Sequence, residues 1–341
     1  MSTARSEAGS GRAPMMPASR RRLILFGVDH LVWFILAITL ILFSLLIEDF
    51  FQFEIFMNIF RQSTFVGLMA IGLALVIMTG NLDLSIESTM AFAAMAAAWL
   101  VASGGAGLGL GLNGLLTLPL ALVLGLAVGF FNGFLITRFH ISAFLVTLAT
   151  FLAVRGLGLV LSGGRSVYSL PDEFRWFGVA EIAGVPLMGL IMVVAFLIFM
   201  FILRRTPFGR HIYMVGGNAT ALYRAGVPTG RILVIVFTLS GLLAGLAGWL
   251  LAARTNGATA NLGIGMLFEV FAAVVIGGVS LSGGEGRLSG VFAGVLLLGS
   301  MNTAINLIGL EPHYMQVIRG GLVLAAVLLD SAKAEIHRRY L

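Results

Sequence analysis

The chain has 341 residues, of which 59% are hydrophobic and only 11% are charged, and its formal net charge is +6 at neutral pH. Soluble domains carry about 25% charged residues, so this composition indicates a protein that crosses a membrane several times. Cysteine is absent, which excludes disulfides, cysteine-ligated iron–sulfur clusters and thiolate nucleophiles. The five histidines are scattered and indicate no metal site. The basic residues lie between apolar runs, so they predict membrane topology rather than nucleic-acid binding.

A membrane-spanning helix needs about 20 mainly apolar residues. Residues 1–22 are small, polar and rich in arginine, and we expect a disordered cytoplasmic tail there. The predicted transmembrane domain covers residues 23–330, and residues 331–341 form a second cytoplasmic tail. The prediction is an all-α polytopic membrane protein with about ten transmembrane helices, at 23–47, 62–80, 86–103, 109–136, 142–161, 184–203, 232–252, 265–281, 288–308 and 315–330.

The distribution of arginine and lysine tests this order of spans. Cytoplasmic connections carry an excess of both residues. With ten spans, 15 of the 21 basic residues lie on the side of the two termini, and four lie on the opposite side. We therefore expect both termini to be cytoplasmic.

Two related segments interrupt the apolar runs. The first reads GNLDLS at 80–85, and the second reads GGVSLS at 277–282. Non-helical backbone at membrane depth is tolerated only where protein or a water-filled cavity surrounds it. Two such breaks in the two halves of one chain are typical of a transport path. Six predicted spans separate them, so we expect both broken-helix motifs to lie toward the cytoplasm.

The segment 204–231 is the longest basic connection on the predicted cytoplasmic side. Pro207 marks its boundary with the preceding span, and Gly216-Gly217-Asn218 is a turn or cap signal. Residues 219–225 favour a short helix that ends at Gly226. Such a segment suits docking onto another protein, and an ordinary loop that rests on lipid headgroups fits it equally well. The residues predicted to dock are Phe208, Gly209, Arg210, Gly216, Gly217, Asn218 and Arg224.

Four stretches in chain order carry a family resemblance: GNLDLS at 80–85, FNG at 131–133 through FLVTL at 144–148, FGR at 208–210 through GGN at 216–218 to AGV at 225–227, and AAVVIGGVSLSGGEG at 272–286. Together they resemble the permease subunits of bacterial ATP-binding-cassette importers for monosaccharides such as ribose, xylose, galactose and arabinose. The resemblance covers residues from about 30 to 330. Asn81 and Glu87 depart from the family pattern, which has glycine at both positions.

The resemblance implies a multi-pass permease of the bacterial inner membrane that works by alternating access. Its implied partners are a cytoplasmic ATPase subunit, a periplasmic sugar-binding protein, a second permease copy (identical or not) and the lipid bilayer. The chain has no Gly-x-x-x-x-Gly-Lys-Ser/Thr phosphate loop. We therefore expect no enzymatic activity and no cofactor on this chain, with ATP and Mg²⁺ held by the partner ATPase.

Acidic and basic groups inside the apolar runs are the first candidates for the substrate path. Asp83 leads, because an ionisable group at membrane depth is costly and usually functional. It either accepts backbone hydrogen bonds at the start of the following helix or lines the path. Ser85 is the expected N-cap of that helix. Arg155 is predicted either to pair with Glu269 or to extend toward the outer surface.

Neutral amides complete the set of candidates. Asn81 lies in the first break, and Asn132, Asn302 and Asn306 lie inside apolar runs. Asn302 and Asn306 are four residues apart and share a helix face. Their amides suit hydrogen bonds to a neutral sugar, but hydrogen bonds between helices are the more common use of such amides.

Two other functions remain open from the sequence. An ATP-driven permease of this type could carry branched-chain amino acids or a nucleoside. An ion-coupled secondary transporter would need intramembrane acids to bind its ion, and Asp83, Glu87 and Glu269 are the acids available.

Overall fold

The computed structural model describes residues 18–309, with side chains from residue 30 onward, and seven isolated positions beyond residue 309. Within these residues the chain forms eleven α-helices: α1 (Ala18–Leu46), α2 (Phe53–Met78), α3 (Ile86–Val101), α4 (Thr117–Phe139), α5 (Ala143–Ser162), α6 (Asp172–Val179), α7 (Leu187–Arg205), α8 (Pro207–Arg224), α9 (Thr229–Thr255), α10 (Met266–Ile276) and α11 (Leu288–Ile308).

Six of the described helices are long and apolar enough to cross a membrane: α2, α4 with the short turn before it, α5, α7, α9 and α11. Three shorter apolar helices are residues 30–46 of α1, α3 and α10. The predicted all-α membrane fold is therefore confirmed, whereas ten spans are not. The predicted span 265–281 is an 11-residue helix, because Gly277 and Gly278 end it. The predicted span 315–330 and both predicted tails lie largely or wholly outside the described residues.

The core of the bundle forms around α2 and α9. In the most apolar stretch of α2, 83% of the residues are buried, against 28% in the same stretch of α4 and of α5. α9 packs along α4 with almost no space between the backbones: a Cβ on Gly125 would lie 2.2 Å from the carbonyl oxygen of Gly241. Glycine is needed there, because close backbone approach replaces the hydrophobic effect as the source of packing energy in lipid.

Short antiparallel strands tie the connections together at one end of the bundle. β1 (Gly104–Gly105), β2 (Val167–Tyr168) and β5 (Gly257–Ala258) form a three-stranded sheet, and β3 (Glu181–Ile182) pairs with β4 (Val185–Pro186). β1 follows the C-terminus of α3, whereas the first break precedes its N-terminus. The sheet and the broken segments therefore lie at opposite ends of the bundle.

Candidate functional site

Both predicted breaks are present as non-helical segments. α2 ends at Met78 and α3 begins at Ile86, while α10 ends at Ile276 and α11 begins at Leu288. The chain turns at Gly80, with φ of 75°, and at Gly278, with φ of 87°. Side chains other than glycine rarely adopt these angles, so glycine at these two positions permits the turns.

The two breaks contact each other. The amide of Gly284 donates a hydrogen bond to the carbonyl oxygen of Met78 over 2.9 Å. A Cβ added to Gly283 would lie 2.7 Å from the amide nitrogen of Gly80. The carbonyl groups at a helix C-terminus need partners outside the helix, and the second break supplies one to α2.

Helix α8 packs against both broken segments from one side. A Cβ on Gly216 would lie 2.0 Å from the carbonyl oxygen of Met78 and 2.3 Å from the amide nitrogen of Gly284. The hydroxyl of Tyr213 donates to the carbonyl oxygen of Gly286 over 3.0 Å, and burial raises the pKa of this hydroxyl above its ordinary value. The middle of α8 thus touches both broken segments at once. We call the contact of Gly216, Met78 and Gly284 the glycine junction.

The structure adds a helical stretch to the 204–231 segment. α8 begins at Pro207, where the Thr206 hydroxyl accepts a hydrogen bond from the amide of Gly209, and the short helix predicted at 219–225 is its second half, which ends at Arg224. The predicted turn is a kink at Asn218, where φ is −161° and ψ is 86°. The side chain of Asn218 accepts a hydrogen bond from the amide of Ala221 over 2.8 Å, so it caps the second half of α8.

The residues predicted to dock divide between two faces of α8. Phe208 is partly buried, and Gly209 and Gly216 face the bundle. The opposite face is exposed and repeats every three or four residues, at Arg210, Met214, Gly217, Ala221 and Arg224, with Asn218 beside it. This spacing places Arg210, Met214 and Gly217 on one side of the first half of α8, and the kink at Asn218 separates them from Ala221 and Arg224 in the second half.

Asp83 lies at the centre of a buried network at the first break. Its Oδ1 accepts hydrogen bonds from the amide of Ser85 over 3.0 Å and from the Ser85 hydroxyl over 2.6 Å. Its Oδ2 accepts one from Ser240 of α9 over 2.9 Å. Ser85 occupies the N-cap position of α3, but its side chain makes no capping bond, because its hydroxyl is turned toward Asp83. The carboxylate therefore holds the start of α3 to α9.

Asn132 extends the same network to two more helices. Its Nδ2 donates to the Ser85 hydroxyl over 2.8 Å, and its Oδ1 accepts from Thr150 of α5 over 2.7 Å. The side chain is fully buried. Asn81 bonds only within its own segment, to Thr79. These asparagines thus bond to protein groups at the broken end of the bundle.

Arg155 pairs with a different acid from the one predicted. Its guanidinium contacts Glu87 of α3 over 2.5 Å and donates to the carbonyl oxygen of Ala260 over 2.8 Å. Pairing with Glu269 and extension toward the outer surface were both wrong, because Glu87 projects from the first turn of α3 toward α5. The other Glu87 oxygen accepts from the amides of Gly265 and Leu267 over 3.0 and 2.9 Å, which caps the N-terminus of α10.

A polar cavity of about 470 Å³ lies between α2, α10 and α11. Asn302 donates to the Glu269 carboxylate over 3.3 Å, and Asn306 lines the wall one helical turn away. The other polar residues of the wall are Gln62, Ser63 and Asn261. Cavities of about 300–1,000 Å³ are the usual size for sites that bind small molecules. Of the predicted path residues, this cavity brings together Glu269, Asn302 and Asn306, and it leaves Asn81, Asp83, Ser85, Asn132 and Arg155 outside its wall.

Comparison with known proteins gives the family. Residues 55–327 match the profile of a family described as the permease component of the branched-chain amino acid transport system. The chain is 37% identical to the ribose import permease protein RbsC of Escherichia coli K12 over 294 residues, which cover 85% of this chain and 89% of the relative. The chain belongs to this permease family.

Two further relatives agree with that assignment. The permease is 37% identical to RbsC of Bacillus subtilis, over 88% of this chain and 91% of the relative. It is 36% identical to the L-arabinose ABC transporter permease protein AraH of Azospirillum brasilense, over 86% of this chain and 85% of the relative. No solved structure matches it. The permease is thus a multi-pass transport component rather than a catalytic one.

Several residues of the permease site were missed from the sequence. Gln62 and Ser63 lie at the edge of an apolar run, where polar residues are common at the ends of spans. Asn261 lies in a connection between helices. Ser240 bonds to Asp83 in the first break and Thr150 bonds to Asn132 of α4, but single hydroxyls in apolar helices usually bond to their own backbone. No sequence pattern separates these residues from their neighbours.

Proposed function

We propose that this permease is the membrane-spanning subunit of an ATP-driven, binding-protein-dependent importer of monosaccharides in the bacterial inner membrane. Relatives named for ribose and for L-arabinose match it over 85% or more of its length. The permease would provide the translocation path by alternating access. ATP and Mg²⁺ would bind to a separate ATPase subunit, and the permease itself would bind no cofactor.

The charge distribution supports one orientation, in which both termini, both breaks and α8 would lie on the cytoplasmic side. The short strands and α6 then face the periplasm, where a sugar-binding protein would dock. The exposed apolar faces of α4 and α5 would contact lipid or a second permease copy, which could be the same chain or a different one. These faces include Phe130, Phe134 and Leu152.

The observation that carries the mechanism is the contact of α8 with both breaks. The ATPase subunit would dock on the exposed face that runs from Arg210 to Arg224. Gly216 on the opposite face touches Met78 and Gly284 without an intervening side chain. Movement of α8 would therefore displace the ends of α2 and α10 together and open or close the cytoplasmic end of the path.

The alternative cargoes and mechanisms have less support. The family description names branched-chain amino acids, but several relatives with 36–37% identity are named for ribose or L-arabinose. An ion-coupled transporter needs acids that can take up and release an ion. Asp83 and Glu87 instead accept hydrogen bonds from protein groups on both of their carboxylate oxygens.

The test is ATP-driven uptake by the complete importer. The permease, its ATPase and its binding protein would be reconstituted into proteoliposomes with radiolabelled D-ribose, L-arabinose or L-leucine. We expect uptake of a sugar that requires ATP and the binding protein. Uptake of L-leucine alone would contradict the proposed cargo, and uptake by the permease alone under a proton or sodium gradient would contradict the mechanism.

A further inference from the structure

The polar cavity between α2, α10 and α11 lies far from the broken segments. Ser63 precedes Met78 by 15 residues on α2, and a helix rises about 1.5 Å per residue, so the two are about 22 Å apart along the axis. Asn302 is similarly distant from the start of α11. The cavity is therefore a separate site from the glycine junction, at the end of the bundle near the short strands.

The lining groups suit a ligand that both donates and accepts hydrogen bonds. An amide side chain carries one acceptor and two donor hydrogens, and the wall has four of them, at Gln62, Asn261, Asn302 and Asn306, with one donor of Asn302 already bound to Glu269. A sugar hydroxyl is likewise donor and acceptor at once. A row of amides around a cavity of about 470 Å³ therefore matches a small neutral molecule that carries several hydroxyls.

Ser63 adds a hydroxyl-bearing residue to the wall. Its hydroxyl is buried, has no hydrogen-bond partner among the described residues and lies against Gly299, where an added Cβ would be 2.2 Å from Ser63 Oγ. A buried polar atom without a partner costs about 1–3 kcal/mol. Rotation of this hydroxyl toward a bound sugar would remove that cost.

The same wall disfavours anions. The described lining residues include no arginine or lysine, and Glu269 adds a carboxylate. The N-terminus of α10 borders the cavity and would ordinarily attract an anion. Its amides at Gly265 and Leu267 are already bound by the Glu87 carboxylate. A carboxylate or phosphate on the ligand would thus find no free cationic partner on the described wall.

We propose that this cavity, lined by Gln62, Ser63, Asn261, Glu269, Asn302 and Asn306, is a binding site for a neutral monosaccharide and rejects its anionic derivatives. The proposal rests on the proposed function, because it names the place where the transported sugar pauses inside the permease. It also gives the path its own selectivity, in addition to that of the binding protein.

The absence of cysteine makes the site directly testable. Asn306→Cys places one thiol on the cavity wall, and Leu307→Cys places one on the exposed neighbouring position outside it. Labelling of both variants by N-ethylmaleimide would be followed in the reconstituted importer without ATP. We expect D-ribose or L-arabinose to slow the labelling of Asn306→Cys at least fivefold and to leave Leu307→Cys unchanged. D-Ribose 5-phosphate should protect neither thiol.

Side-chain truncation then identifies the contacts. Ser63→Ala and Asn302→Ala, each in the Asn306→Cys background, should raise the sugar concentration for half protection about tenfold. Thr303→Val removes a buried hydroxyl next to Asn302 that lies outside the wall. This variant should leave the sugar concentration for half protection unchanged. Equal protection of both thiols, protection by the phosphorylated sugar, or no effect of either truncation would overturn the cavity assignment. If wild-type uptake of sugar is intact and protection is absent, the cavity proposal fails while the proposed function stands.

Discussion

Gly216 of α8 lies against the carbonyl oxygen of Met78, so closely that a Cβ at position 216 would be 2.0 Å from that oxygen. The same carbonyl accepts the amide of Gly284 from the second break. Three segments that are far apart in the chain therefore meet at one peptide group. Because close-packed backbones cannot move apart without losing their contacts, we expect a displacement of α8 to move both breaks.

The first prediction compares two glycines inside helices. Gly216→Ala forces α8 away from Met78, whereas Gly156→Ala in α5 adds a methyl group where no atom lies within 4 Å. We expect Gly216→Ala to lower ATP-driven sugar uptake at least tenfold while ATP hydrolysis by the complex continues. Gly156→Ala should keep uptake within a factor of two of wild type. Uptake per ATP hydrolysed is the measurement, and equal coupling in the two variants would contradict the role of the glycine junction.

The second prediction concerns the exposed face of α8. Arg210→Glu and Arg224→Glu reverse the charge at its two ends without touching the buried face. If the ATPase docks there, each variant should weaken its association with the permease about tenfold, measured by pull-down or biolayer interferometry at low salt. Arg175→Glu makes the same change on exposed α6 at the other end of the bundle and should leave the association unchanged. Weaker association of the ATPase in all three variants would indicate a general effect of charge rather than docking on α8.

The sequence predicted the membrane fold and the two breaks because both depend on local composition. Glycine and hydroxyl residues between apolar runs mark the end of a helix wherever it packs, and the ends at Gly80 and Gly277 agree with the structure. The turn or cap predicted at 216–218 is the kink at Asn218, whereas the helical stretch from Pro207 to Gly217 was not predicted. The contact of Gly216 with two backbones depends on segments that are distant in the sequence.

Partners across the bundle were harder to predict. Arg155 is 68 residues from Glu87 and 114 from Glu269, and sequence distance does not decide between them. The choice depends on the rotation of α3 and α5 about their axes, which packing sets. The cavity wall likewise joins α2 to α11 across more than 200 residues, and only tertiary structure brings Ser63 next to Gly299.

The third prediction addresses the buried network at the first break. Asn132→Ala leaves the hydroxyls of Ser85 and Thr150 without their shared partner in a dry environment. Such a loss costs about 1–3 kcal/mol of folding free energy. We expect a clear fall in the thermal midpoint of the purified permease in detergent, followed by intrinsic fluorescence. Asn81→Ala, which removes bonds to Thr79 alone, should lower the midpoint much less. A larger fall in the thermal midpoint for Asn81→Ala than for Asn132→Ala would be inconsistent with the network.

The last prediction separates the two partners of the buried ion pair. Glu87→Ala removes the acceptor of Arg155 and of two α10 amides together, and leaves a buried guanidinium without its counter-charge. Breaking a buried pair in this way costs about 3–5 kcal/mol. Arg155→Met leaves the Glu87 carboxylate with its two backbone donors, so the loss of folding free energy should be smaller than in Glu87→Ala.

The double variant Glu87→Gln/Arg155→Met tests how the ion pair and the cap of α10 each contribute to the stability of the permease. It removes both charges and retains an amide oxygen that can accept from Gly265 and Leu267. We expect its thermal midpoint to lie above that of Glu87→Ala, because no unpaired charge remains buried. A double variant as unstable as Glu87→Ala would show that the attraction between the two charges, rather than the cap of α10 or the penalty of an unpaired guanidinium, stabilises this region. Since that cap borders the sugar cavity, Glu87→Ala should also reduce protection of the Asn306→Cys thiol by sugar.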